Sequence, residues 1–420
     1  MNILWFSLSP CGSLRRNNTT RVVQGWMISL EDQIKKNQDI NLSVCFISDS
    51  EETDFEFEGV HYYPVSRNKP KSKIKEIFSR FRSKHEEELI IVPQLLKVVN
   101  QVKPDVIHIH GTEECFGLIQ ESIKDIPIVF SIQGLIAPYT EMYFSGFPEA
   151  FIKRHESLSL KLRGLSYKNG YDSYKYRSIR ELNYLRNAKY VIGRTSFDHF
   201  IPRLCNSSVK IFQGEEILRK EFYGACWNKT FENKLKIVTT ISPGIYKGFE
   251  TLLHAAKVLK EYADFDFEWH VIGYEKSNKF VKYAEILKNC KSTKTNICFH
   301  GKLQADEMLH VLLESDIYVQ VSHIENSPNS LCEAMLLGMP IIASFAGGTS
   351  SILDDGNEGI LVQDGDPYIL SGAIAYLYNN YEYASLMGKK AKERADRRHN
   401  PEDIANQLVD IYKEIQNDNL

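Results

Sequence analysis

The sequence predicts an α/β chain built as two parallel-sheet domains. Three observations lead there. Short apolar runs rich in β-branched residues alternate with helix-length segments along the chain, the order that builds parallel sheets. The chain has 420 residues and a mass of 48.4 kDa, which suits two domains better than one. Residues 319–348, VQVSHIENSPNSLCEAMLLGMPIIASFAGG, read as strand, loop, helix, strand and Gly-rich turn in immediate succession.

Composition narrows the class. Apolar residues make up 43% and charged residues 25%, ordinary for a soluble globular chain. No apolar run reaches the length of a membrane span. MNILWFSLSP lacks a basic n-region and reads as a first core strand, so a cytoplasmic protein is expected. The eight cysteines are scattered without a C-x-x-C pair, which fits a reducing compartment and argues against a zinc site. Net charge is −3, which gives no reason to expect nucleic acid. The first 215 residues carry 29 Lys and Arg against 25 Asp and Glu, and the remainder 22 against 29. A basic first half points to an anionic surface or acceptor on that side.

In chain order, residues 2–7 form the first strand. A polar loop follows at 9–20, containing Gly12 and Asn18, and then a helix over about 21–36. Strands are expected at 42–47 and 60–65. In the basic segment 67–84, Ile74, Ile77, Phe78 and Phe81 fall on one helical face ringed by Lys and Arg. That is the pattern of an interfacial amphipathic helix that could touch a membrane, or of a surface helix packed on its own domain. Residues 105–110, DVIHIH, form a buried strand whose end faces the ligand crevice of an open sheet. His108 and His110 share one face of it. Residues 128–132 are the next strand. A Tyr-rich basic region, 137–184, is expected on the acceptor side. The strand 190–193 ends at Arg194, and 210–213 closes the first domain.

The second domain opens with a strand at 236–241 and the loop Ser242-Pro243-Gly244-Ile245-Tyr246-Lys247-Gly248, followed by a helix at 250–262. Strands at 269–273, 297–300 and 317–321 continue the alternation. After 317–321, Ser327 is placed to cap a helix with Pro328 at its first position. Gly338 ends that helix, Pro340 blocks its continuation, and 341–344 is the next strand. Two helices, 381–397 and 401–416, end the chain. The expected domains are therefore 1–215 and 216–400, with 401–420 as a final helix.

Glu325 and Glu333 stand eight positions apart in this unit. The amides of Asn329, Ser330 and Leu331 fall in the first helical turn, where backbone N–H groups lack internal partners and attract phosphate. Glu333 lies one turn further on. A nucleoside diphosphate bound there would set its phosphates on the amides and its ribose diol on Glu333. Glu325 would face the group attached to the outer phosphate. Taken singly, either glutamate is better read as a solvated side chain.

As a whole, E-N-S-P-N-S-L-C-E-A-M-L-L-G-M-P-I-I-A-S-F-A-G-G, with I-L-D-D-G-N-E-G-I-L-V-Q-D-G-D at 352–366, resembles the E-x7-E signature of retaining glycosyltransferases of the GT-B fold, glycosyltransferase family 4. The resemblance is strongest over 236–366. It implies two Rossmann-like domains facing a central cleft, with the last helix crossing back to the first domain. It implies catalytic roles for His110, Glu325 and Lys247, the last on the donor pyrophosphate. It places Glu333, Asn326, Asn329, Ser330, Leu331, Ser242 and Gly244 in the donor site, and Gly12 and Asn18 in the loop that approaches donor phosphate and acceptor. Ser242 stands where relatives usually carry a second phosphate-binding arginine. Arg194 is the replacement in this chain, or there is none.

The implied reaction moves a sugar from a nucleoside-diphosphate sugar to a glycan or lipid-linked acceptor with retention, in bacterial surface polysaccharide synthesis. It uses no cofactor and no metal. The protein would be cytoplasmic, with a peripheral membrane contact through the 74–81 stripe. A nucleotide-sugar 2-epimerase and an inactive nucleotide-sugar-binding protein of the same fold are the alternatives.

Overall fold

A computed structural model describes residues 1–17, 25–49, 51–67, 84–230 and 234–419. Asn18 and the stripe Ile74, Ile77, Phe78 and Phe81 lie outside the described residues. The chain divides into two compact units. The first comprises Met1–Glu141, Glu156–Ile217 and Asn400–Leu420, and the second Met142–His155 and Leu218–His399.

The first unit is built on an eight-stranded sheet. Its strands are β1 (Asn2–Ser7), β2 (Asn41–Ser48), β3 (Phe55–Phe57), β4 (Val60–Ser66), β5 (Val106–His110), β6 (Ile128–Ser131), β7 (Tyr190–Gly193) and β8 (Lys210–Gln213). They run in the order β3-β4-β2-β1-β5-β6-β7-β8. Every pairing is parallel except β3 with β4. Strands covered on both faces read as continuous apolar runs, which is why β1 and β5 are buried almost throughout. The chain lays down β1, β2 and β4 to one side, then returns past β1 to place β5. The carboxyl ends of β1 and β5 thus flank a topological switch point, the usual place for a ligand crevice, and His110 is the last residue of β5. The final helix, Pro401–Asn417, belongs to this unit and packs on the helix Gly25–Ile34. Its apolar stripe, Ile404, Leu408, Ile411 and Ile415, is buried.

The second unit carries a six-stranded, all-parallel sheet. Its strands are β9 (Lys234–Thr240), β10 (Asp266–Ile272), β11 (Ile297–Gly301), β12 (Ile317–Gln320), β13 (Ile341–Ser344) and β14 (Ile360–Val362), in the order β11-β10-β9-β12-β13-β14. Here the switch point lies between β9 and β12. The loops that leave those strands carry Lys247 and Glu325.

Several expectations need correction. Residues 142–155 belong to the second unit, so the boundary at 215/216 misses an excursion and part of the 137–184 region is not on the first domain. Phe147 and Phe151 hold the excursion by packing on Tyr283, and Gly146 sits directly against Glu250 and His323. β3 and β14 were not expected. Each is three residues long, too short to show a period. The helix after β12 is Asn329–Leu337, one residue later than the Ser327 cap implied. Pro328 takes the cap position, and its carbonyl accepts from both Leu331 N (3.0 Å) and Cys332 N (3.2 Å). Among the described residues no helix is long and apolar enough to cross a membrane.

Candidate active site

In the second unit, the loop after β9 tightens into a single turn, Ile245–Lys247, that ends at Gly248 with φ 75°. A Cβ on Gly248 would lie 1.8 Å from the Val321 carbonyl oxygen, so only glycine lets this loop meet the loop after β12. That approach brings Lys247 Nζ to 2.6 Å from Glu325 Oε1, with both side chains largely shielded. The other side of the Glu325 loop is held just as closely. Gly348 N donates to the Glu325 carbonyl at 3.0 Å, and a Cβ on Gly347 would stand 1.9 Å from that oxygen. Asn326 is buried. Of the three helix-terminal amides, Leu331 N is engaged by Pro328 O, and those of Asn329 and Ser330 precede the first helical hydrogen bond. Ser242 is exposed, and Gly244 N donates to Tyr274 Oη at 3.4 Å.

Glu333 is 2% exposed and is already occupied. Arg219 Nε donates to Oε1 and Arg219 Nη2 to Oε2, each at 2.6 Å, a bidentate fork. Its guanidinium lies over Phe222 at 4.8 Å. The sequence alone marked Arg219 only as the last arginine before Arg394. Its pairing with a residue 114 positions away had no local signal.

A second buried cluster, also unsuspected from sequence, borders Glu325 in the chain. His323 Nε2 lies 2.7 Å from Glu250 Oε1 and Nδ1 lies 3.1 Å from Asp364 Oδ2. Burial alone would lower the His323 pKa. The hydrogen bonds and charges of the two carboxylates outweigh it, and the pKa is raised.

The first unit gathers His110 and Arg194 around one cavity, together with Trp26, His108, Ser131 and Glu215. Both His110 ring nitrogens are buried and have no hydrogen-bond partner among the described residues. Burial, then His108 and Arg194, hold its pKa well below the ordinary value, so the ring is neutral. Arg194 does not present an open cation. Its Nε faces Glu216 at 3.3 Å and its guanidinium stacks on Trp26 at 4.8 Å. Gly12 is not among the residues lining this cavity. Its N–H donates to Glu31 Oε2 at 3.0 Å, and a Cβ there would collide with Glu31. On the far side of His110 along the chain, the buried carboxyl end of Glu113 was also missed. Burial, reinforced by Glu181, raises its pKa to about 7.

Residues 228–394 match the family model described as glycosyl transferases group 1. An uncharacterized glycosyltransferase of Methanocaldococcus jannaschii is 23% identical over 378 residues, 88% of this chain and 89% of its own length. A second one from that organism is matched over 53% of its length, and the N-acetyl-alpha-D-glucosaminyl L-malate synthase of Bacillus anthracis over 36%, so the chain spans about half or less of those relatives. Among solved structures, sucrose-phosphate synthase from Thermosynechococcus elongatus superposes with a TM-score of 0.71 at 15% identity, covering 99% of both chains. Anabaena HepE, solved with UDP-glucose, superposes with a TM-score of 0.64 at 16% identity, covering 99% of this chain and all of its own. Both units are parallel-sheet domains of the GT-B type, and the second carries the stretch that matches the glycosyl transferases group 1 model.

Proposed function

We propose that the protein transfers a sugar from a nucleoside-diphosphate sugar to a hydroxyl acceptor with retention of configuration, in the synthesis of a glycan or lipid-linked surface polysaccharide. One observation carries the donor end: Lys247, Glu325 and the start of the helix Asn329–Leu337 come together at the switch point of the second sheet. HepE was solved with UDP-glucose, which supports a donor of that kind. The energetic problem in such a transfer is the charge that develops on the departing diphosphate. Lys247 and the amides of Asn329 and Ser330 are the groups suited to stabilise it. The bond from the sugar C1 to the phosphate oxygen breaks, the acceptor oxygen bonds to C1 from the same face, and the acceptor proton passes to the departing phosphate. Glu325 would hold a sugar hydroxyl and Glu333 the ribose diol, after Arg219 releases it. His110 is assigned to the sugar or acceptor, and this reading uses neither cofactor nor metal. The apolar stripe of Ile74, Ile77, Phe78 and Phe81, ringed in the sequence by Lys and Arg, would bring the enzyme to an anionic membrane surface carrying a lipid-linked acceptor.

Thermal shift against a panel of nucleoside diphosphates and their sugars tests the donor. A ligand at 100 times its Kd stabilises by about 2.7 kcal/mol. Release of diphosphate that depends on an added acceptor supports transfer. Epimerised donor without acceptor, or binding without turnover, would replace the reading with one of its alternatives.

A further inference from the structure

The first unit contains a chain of buried polar groups that no role above uses. Trp5 Nε1 donates to Tyr412 Oη at 2.9 Å. That oxygen lies 2.6 Å from His108 Nδ1, and His108 Nε2 lies 2.5 Å from Ser131 Oγ. All four residues are buried.

Counting donors sets the direction of each bond. An indole N–H can only donate, so Tyr412 accepts from Trp5. The phenol has one proton, and burying an O–H without an acceptor is costly. Among the described residues His108 Nδ1 is the acceptor within reach, so Nδ1 carries no proton. Burial keeps His108 neutral, its pKa lowered to about 3. Its single proton therefore sits on Nε2 and is donated to Ser131 Oγ. Having accepted there, the Ser131 hydroxyl keeps its own proton to give elsewhere.

Ser131 and His110 are partners in register at the ends of β6 and β5, and both line the same cavity. His110 stacks on His108, with centroids 3.8 Å apart at 29°, and stands edge-on to Trp5 at 4.7 Å. A neutral imidazole offers one donor and one acceptor. Together Ser131 and His110 thus present two donors and one acceptor to a cavity that Arg194, Glu215 and Gln407 also line. A fully ionised oxyanion such as sulfate supplies only acceptors and would leave one His110 nitrogen unmet. The cavity also carries no surplus positive charge, because Glu216 faces Arg194 and Glu215 adds another carboxylate to the lining. Hydroxyl groups, each a donor and an acceptor, satisfy all three positions.

We propose that Ser131 and His110 form a subsite for one or two hydroxyl groups of an uncharged sugar or polyol, and that Tyr412, acting through His108, is the positioning residue that fixes Ser131 as a hydrogen-bond donor. The inference rests on the transferase reading only for the role of that ligand as acceptor.

The test uses the full chain labelled with 15N at histidine, with ring signals assigned through His108→Gln and His110→Gln. His108 is expected in the Nε2–H form throughout the range from about pH 5 to 8. Glucose and myo-inositol, each in tens of millimolar, are expected to shift the His110 signals, and sulfate at the same concentration is not. Ser131→Ala should weaken glucose or inositol binding about tenfold, a factor equivalent to about 1.4 kcal/mol. Tyr412→Phe should leave the ring packed, mix the two His108 tautomers and weaken the same binding. An Nδ1–H tautomer of His108 in the parent chain overturns the relay. A His110 response to sulfate but to neither polyol, or to none of the three, overturns the subsite. Uridine diphosphate binding, read by thermal shift, is the control. If it fails while polyols shift His110, the donor reading falls and this inference stands. If it succeeds while polyols do nothing, the reverse holds.

Discussion

Arg219→Met isolates the fork on Glu333. The variant keeps an apolar stem and removes the guanidinium together with its contact over Phe222. Glu333, 2% exposed, would then be a buried carboxylate without its two charged donors. Breaking a buried pair from one side costs about 3–5 kcal/mol. The Arg219 side chain is 24% exposed, so water can partly replace it, and the lower figure of about 2–3 kcal/mol is the working value. For a unit of roughly 200 residues this lowers the melting temperature by roughly 4–12 °C. Glu333→Gln added to Arg219→Met should recover most of the loss, because a neutral amide tolerates burial better. A coupling of about 2 kcal/mol should emerge from the four-protein cycle. Calorimetric melts of the parent, both single variants and the double variant measure it. If Arg219→Met melts within a degree of the parent, or the double variant is no better than Arg219→Met, the pair is not the buried unit described. On the proposed donor reading, the ribose diol and Arg219 would compete for the same two oxygens. Arg219→Met should therefore bind uridine more tightly than the parent, and weaker binding would show that Arg219 holds the nucleotide instead of competing with it.

Four further outcomes are expected. Lys247→Ala should lower turnover roughly a hundredfold at saturating donor, beyond the fall in melting temperature expected from leaving the shielded Glu325 without its partner, and unchanged turnover of the folded variant would assign the leaving-group charge to another cation. The His323 pKa is raised in the fold, so the stability it contributes is complete below about pH 6.5 and is lost as pH rises through the folded value; His323→Gln should flatten that part of the melting-temperature profile, and an unaltered slope would contradict the assignment. Glu113 is also raised, to about 7, so its burial weakens the fold as pH climbs from about 4.5 to 7, by up to roughly 3 kcal/mol; Glu113→Gln should be the more stable protein at pH about 8, and equal melting there would count against a buried carboxylate. Paired Phe78→Asp and Phe81→Asp should abolish sedimentation with anionic liposomes at low salt while leaving the protein folded, whereas a parent that never sediments would remove the membrane contact.

The alternation of strands and helices was legible because a strand buried on both faces must be apolar along its length. β1, β5, β12 and β13 all read correctly for that reason. Glu325 and Glu333 could be singled out as candidates because their spacing belongs to one loop and one helix, and Lys247 because it stands in the separate loop 242–248. The helix start was misjudged by one residue because Ser327 and Pro328 both carry start signals, and only the carbonyl of Pro328 accepting two amides settles which residue is the cap.

The sequence by itself determined the fold class, the order of most strands and the stretch on which the donor reading stands, because each of these is written in periods and spacings within a few residues. The tertiary structure alone decided which groups meet. Lys247 reaches Glu325 because the sheet order sets β9 beside β12. Arg219 closes on Glu333 from 114 positions away, and Tyr412 reaches His108 across 304. The excursion 142–155 leaves its sequence neighbours for the second unit. No local pattern encodes such pairings. They follow from which buried polar groups must find partners once the sheets have formed, and that requirement exists only in the folded chain.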